Sequence, residues 1–183
     1  SRMTSLPDMN YDGQVLSWRH RGTFRATSGL PGWQSPELQC VPEAGPLPEG
    51  LYALGLQVDR KPARDDGHGD CRLIPSPKLQ TIPRGAAAGV CEQFWANWGV
   101  NRVGLKAANV ATRNPCKPPR DGFYLHDSTK GYSHGCIEVE GSFFVPLRSY
   151  IGEIQRRHSR TRNQLLLEVR YVQDRQTNGG TKL

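Results

Sequence analysis

No stretch of this 183-residue chain is long and apolar enough to span a bilayer. Its first residues also lack the apolar core of a secretory signal. The reading is therefore a protein that does not insert in membranes. If it works outside the cytoplasm, either something other than an N-terminal signal delivers it or a leader has been trimmed from it. No two of the five cysteines stand at the C-x-x-C spacing of a zinc or redox site. The densest basic segment, Arg156 to Arg162, carries no aromatic residues between its cations, so nucleic acid is not an expected partner. There is no internal repeat and no low-complexity tract.

What is present fits a folded, turn-rich chain. Apolar residues make up 36% and charged residues 22%, enough for a core and against wholesale disorder. Twenty glycines and fourteen prolines favour strands and loops over a helical bundle. Ser1 and Arg2 before Met3 read as an appended pair. Residues 3–183 are then expected to form one domain with its core at about 11–172. The net charge of +7 fits binding to an anionic polymer and equally fits a solvated cationic face.

The expected elements follow from pattern. A strand pair lies within residues 11–27, around the turn Tyr11-Asp12-Gly13-Gln14. Leu51–Val58 is a strand, and residues 59–90 are a long loop. Gln93–Gly99 and Asn101–Leu105 form strand, turn, strand, with the aromatic run mainly in the core. Gly122–His126 is a strand that delivers His126 at its end. Phe143, Phe144, Leu147, Tyr150, Ile151 and Ile154 recur at helical spacing, so a helix covers about 143–157. Gln164–Val172 is a closing strand, and the last ten residues form a frayed tail. His20, His68 and His158 are expected at the surface.

The chemistry concentrates in one segment, which ends Ser133-His134-Gly135-Cys136-Ile137. A thiol becomes a strong nucleophile when a nearby base or cation favours its thiolate. Imidazole suits that task because it titrates near neutral pH. Gly135 lets the backbone turn tightly beside the thiol, and backbone N–H groups there could receive an oxyanion. His126, His134 and Cys136 are also zinc-ligand types, but their spacing is none of the common ones, so no metal is expected. With Cys136 set apart, Cys40, Cys71, Cys91 and Cys116 could form two disulfides, in three possible pairings, or stay as free thiols.

Ser133-His134-Gly135-Cys136, with His126 upstream at a strand end, resembles the signature of the YkuD-type L,D-transpeptidases. The short spacer between His126 and Cys136 is most similar to the L,D-transpeptidase effectors exported by type VI secretion systems. Tyr11-Asp12-Gly13-Gln14-Val15-Leu16, Ala26-Thr27-Ser28-Gly29 and Gly45-Pro46-Leu47-Pro48-Glu49-Gly50-Leu51-Tyr52 also look like segments of those effectors. The chain departs from housekeeping members in its shorter spacer, in Asp127 after the histidine and in Glu138 two positions after the cysteine.

The resemblance implies a mainly β (α+β) fold, a β-sandwich or barrel with a short helix after the cysteine and long loops. It implies Cys136 as nucleophile and His126 as general base, with no cofactor. Ser133, His134 and Gly135 would support the site. Tyr124, Asp127, Ser128, Tyr132 and Arg102 are candidate substrate contacts, and Asp127, Ser128 or a backbone carbonyl a candidate third member. The implied reaction is acyl transfer on peptidoglycan stem peptides, as L,D-carboxypeptidase trimming or D-amino acid exchange. The implied route is synthesis in the cytoplasm, carriage by a secretion-system component and delivery to a target periplasm. A cognate immunity protein would be a partner. A housekeeping cross-linking enzyme and a non-catalytic wall-binding module are the rival readings.

Overall fold

The structure is a computed structural model that describes residues 6–108, 115–157 and 162–183. The expected mainly β fold is present, as a closed eight-stranded barrel with two short helices among the described residues. The strands are β1 (Met9–Tyr11), β2 (Val15–Trp18), β3 (Gly22–Ser28), β4 (Gly50–Gly55), β5 (Gln80–Thr81), β6 (Asn101–Ala107), β7 (Phe123–His126), β8 (Ile137–Val139) and β9 (Gln164–Val169). The sheet runs β4-β9-β1-β2-β3-β8-β7-β6, a β4–β6 pairing closes it, and β5 extends β6 outside the ring. Two pairings are parallel, β1 with β9 and β7 with β8.

Alternation builds the barrel interior. Tyr52 and Leu54 of β4 face Leu167 and Leu165 of β9, while Leu16 of β2 faces Tyr11 and Phe24. Val103, Leu125 and Ile137 continue the same inward row across β6, β7 and β8. All these side chains are buried in one apolar cluster. Inward and outward positions must alternate around a closed sheet. Closure also removes the free edges that an open sheet would present.

The strand pair expected in 11–27 is three strands, because β1 precedes the turn. Asp12 makes that turn: its Oδ1 accepts from the N–H of Gln14 and of Val15, each at 2.9 Å. The expected strand at 51–58 stops at Gly55, and the closing strand stops at Val169. The helix after the cysteine is α2 (Phe144–Arg156), with Phe144, Leu147, Ile151 and Ile154 buried at helical spacing and Pro146 in its first turn.

Two expectations fail. Gln93–Gly99 is no strand, since Glu92–Trp95 is a helical turn, α1. The Cys71–Cys91 disulfide lies at its start. The Glu92 carboxylate accepts from Arg84 and the Gly85 N–H, and Trp95 Nε1 donates to the Cys71 carbonyl at 2.7 Å. These local ties outweigh the strand preference of the aromatics. The last ten residues are not frayed either. Thr177 and Thr181 are buried against β3 and β8, because their hydroxyls satisfy buried groups that composition does not reveal. His20 and His68 are exposed as expected, and His158 lies outside the described residues.

Candidate active site

The site lies on the outer face of the barrel wall. Ladder register aligns Gln80 with Arg102, Arg102 with His126, His126 with Glu138 and Glu138 with Thr27. These five residues form one row across five strands, and each is at most 5% exposed. Outward positions of a barrel normally meet water. Here Trp98, the loop before Gln80 and residues 176–183 cover them.

Cys136 stands just before β8. Leu125 pairs with Ile137 in parallel register, so Cys136 falls opposite Tyr124, on the same outward face as His126 and diagonal to it. His126 and Cys136 line one cavity of about 290 Å³ with Phe94, Asn97, Trp98, Tyr132, Ser133 and His134. A second cavity of about 740 Å³ also reaches Cys136, and Arg72, Lys117 and Arg120 bring cations to its lining. Trp98, His134 and Cys136 belong to both.

The turn that carries the thiol is tightly held. The Cys136 carbonyl accepts from Ser28 Oγ at 2.6 Å and from Ser133 Oγ at 2.5 Å. Ser133 Oγ in turn accepts from the Gly29 N–H at 3.1 Å. Gly135 has φ +104°, and a Cβ there would sit 2.2 Å from Arg120 Nη2. That guanidinium cannot easily retreat, since it donates to the carbonyls of Gln39 (2.5 Å), Pro46 (2.7 Å) and Gly45 (3.3 Å).

Behind His126 lies a carboxylate. His126 Nδ1 is 3.0 Å from Ser128 Oγ, and Ser128 Oγ donates to Glu138 Oε2. Glu138 also accepts from the N–H of Lys130 (3.1 Å), the N–H of Gly131 (2.8 Å) and the hydroxyl of Thr181. Four donors fill the acceptor sites of an ionised carboxylate. Ser128 gives its only proton to Glu138, so its oxygen accepts from His126 Nδ1–H. That assignment leaves Nε2 as the basic nitrogen. Burial pushes the Glu138 carboxyl up, and the Ser128, Thr181, Gly131 and Lys130 donors oppose it.

Burial favours the neutral form of both Cys136 and His126. Burial pushes the Cys136 thiol up to about 11, against the Tyr124 backbone hydrogen bond and the Arg102 and Arg120 charges, which favour thiolate. Burial, with the charges of Arg102 and His134, holds His126 down at about 3, against a Trp98 backbone hydrogen bond that favours the charged ring. A neutral thiol that shares a cavity with a neutral imidazole would have to pass its proton during any attack, and not beforehand.

Other expected contacts go elsewhere. Arg102 cannot reach a stem carboxylate: it is 2% exposed, sandwiched between the rings of Trp98 (4.5 Å) and Tyr124 (4.3 Å), and bonded to Gln80 and the Ile74 carbonyl. Its role here is positive potential beneath the thiol. Asp127 is used structurally, its carboxylate accepting from the N–H groups of Val100 (2.7 Å) and Asn101 (2.8 Å) and from Asn101 Nδ2 (2.9 Å). The Tyr124 side chain lines a different cavity, beside Ser76 and Gly104. Tyr132 and His134 do line the site, with ring centroids 6.3 Å apart. Ser128 is the expected third member that the structure places beside His126. Trp98, Arg120, Glu138 and Thr181 were missed. Glu138 had one signal, its departure from the resembled pattern, and the other three had none.

No protein-family model and no curated protein matches this chain.

Proposed function

We propose that this protein is a cysteine acyl transferase of the L,D-transpeptidase type, acting on peptidoglycan stem peptides. One observation carries the reading. Cys136, the one cysteine outside a disulfide, shares a cavity with a histidine whose ring is backed by a hydroxyl and a carboxylate. Such a chain of groups suits a base that must accept a proton at one nitrogen while staying anchored at the other.

In this mechanism the Cys136 sulfur attacks the carbonyl of the third stem residue. His126 Nε2 takes the thiol proton as the C–S bond forms. Backbone N–H groups at the Gly135–Cys136 turn stabilise the oxyanion. The imidazolium then protonates the departing D-alanine nitrogen, and a thioester is left. Water, deprotonated by His126, gives a tripeptide, and a D-amino acid gives exchange. Arg102 and Arg120 favour the negative charge that builds on sulfur, Arg102 from a buried position.

The wider reading is an antibacterial type VI effector delivered to a target periplasm, with an immunity protein in the producing cell. Two disulfides, Cys40–Cys116 and Cys71–Cys91, support an oxidising destination.

The test is wild type and Cys136→Ala with purified muropeptides, with and without a free D-amino acid, read by mass spectrometry. Wild type alone should convert tetrapeptides to tripeptides or exchanged products. New cross-links would instead favour the housekeeping transpeptidase, which would use the second cavity at Cys136 for an acceptor stem. Unchanged tetrapeptides with retained sacculus binding would favour a wall-binding module.

A further inference from the structure

Residues 176–183 close over the site from outside the barrel and reach it through hydroxyls. The Thr177 N–H donates to the Gln34 carbonyl at 2.9 Å, and its Oγ1 donates to the Ser28 carbonyl at 2.6 Å. The Ser28 N–H returns a bond to the Thr177 carbonyl at 2.9 Å. The Gly179 N–H donates to Thr27 Oγ1 at 2.9 Å. Thr181 is 5% exposed and bonds both Thr27 Oγ1, at 2.9 Å, and Glu138 Oε1. The Leu183 N–H donates to the Thr129 carbonyl at 3.2 Å. Both ends of this strap thus hold residues that hold the reacting pair: Ser28 grips the Cys136 carbonyl, and Glu138 grips Ser128.

We propose that Thr181 and Glu138 are positioning residues of the active site, so that the segment 176–183 is the last part of the catalytic apparatus rather than a tail. The chain of contacts runs Thr181, Glu138, Ser128, His126. Glu138 cannot turn to another partner while Thr181 and the Gly131 N–H fill Oε1, and the Lys130 N–H and Ser128 hydroxyl fill Oε2. A carboxylate fixed at four points dictates which way Ser128 donates, and Ser128 dictates which imidazole nitrogen keeps its proton. Removing the Thr181 hydroxyl frees one corner of the carboxylate. Glu138→Gln goes further, because an amide NH₂ must then face donors that the carboxylate accepted. The proposal rests on the assignment of Cys136 and His126 as the reacting pair.

The experiment compares wild type with Thr181→Val, Thr181→Ser, Glu138→Gln and Thr177→Val. Thr177 anchors the same strap through Ser28, on the Cys136 side, without touching Glu138, so its variant shows whether loosening the strap alone disturbs the imidazole. Two readouts are taken on each, with thermal unfolding alongside. The first is the ¹⁵N and ¹H spectrum of the His126 imidazole, which reads the tautomer without any substrate. The second is turnover of tetrapeptide muropeptides. Wild type should show the Nδ1–H tautomer. Thr181→Val should lose a single tautomer signal and about 10-fold in kcat with KM little changed, the size of one lost buried hydrogen bond. Glu138→Gln should lose about 100-fold or more. Thr181→Ser should restore both readouts, and Thr177→Val should leave the imidazole spectrum intact. A wild-type imidazole spectrum in Thr181→Val overturns the proposal, as does an equal disturbance by Thr177→Val. If wild type turns over no muropeptide, the substrate reading fails, and the imidazole spectra alone decide the positioning role.

Discussion

Burial holds Cys136 and His126 out of their usual protonation ranges, in opposite directions. With the thiol up near 11 and the imidazole down near 3, no thiolate–imidazolium pair exists at rest. Alkylation of Cys136 by iodoacetamide should be slow at pH 7 and rise about tenfold per pH unit toward pH 11. A plateau between pH 5 and 8 would instead reveal a resting ion pair. The same burial has a stability consequence. An unfolded histidine takes up its proton near pH 6.5, and the folded one near 3. Between those values the unfolded chain binds more protons, so stability falls as pH drops from 6.5 to 3 and is fully present above 6.5. In urea titrations, His126→Phe should show a shallower loss over that window than wild type. The thiol, its histidine and the supporting glycine are legible in the sequence because they share a short segment. Glu138 is marked only by its departure from the resembled pattern, and Thr181, near Gly179–Gly180, looks like an ordinary solvated residue until the fold is known.

At the scale of elements, the barrel strands are visible in sequence as alternation, and α2 as a helical repeat. α1 misleads for a physical reason. Phe94 to Trp98 is rich in aromatics like a strand, yet a disulfide, a carboxylate and an indole bond fix it as a turn. That turn hands on to β6 through Gly99, whose φ is +87° and whose missing Cβ would lie 2.5 Å from both Asp127 Oδ1 and the Ser128 nitrogen. Gly99→Ala should cost at least about 1 kcal/mol for the left-handed backbone alone. The overlap should also displace Ser128, so activity should fall further than thermal stability implies. Full activity in Gly99→Ala would separate this turn from the site.

For the whole molecule, the two disulfides do different work. Cys71–Cys91 closes a separation of 20 residues and braces one wall of the site. Cys40–Cys116 closes a separation of 76 and ties the Gln39–Pro46 loop to the segment that carries Arg120. Replacing either pair by serine should cost about 2–5 kcal/mol in urea unfolding, the longer loop costing more on the chain-entropy account. The pairing was open in the sequence because it depends on which loops meet once the barrel has closed, and not on spacing.

The polar row from Gln80 to Thr27 runs along the hydrogen-bonding direction of the sheet, so its members are neighbours only by strand register. Point replacements remove one member at a time. A single inserted residue between Phe123 and His126, or between Cys136 and Glu138, would rotate everything beyond it through half a turn. Base and carboxylate would then face the barrel interior, and leucine or isoleucine would face the cavity. This protein should therefore tolerate length changes in its loops and almost none in these two short strands, where gain or loss of one codon exchanges its polar row for its core.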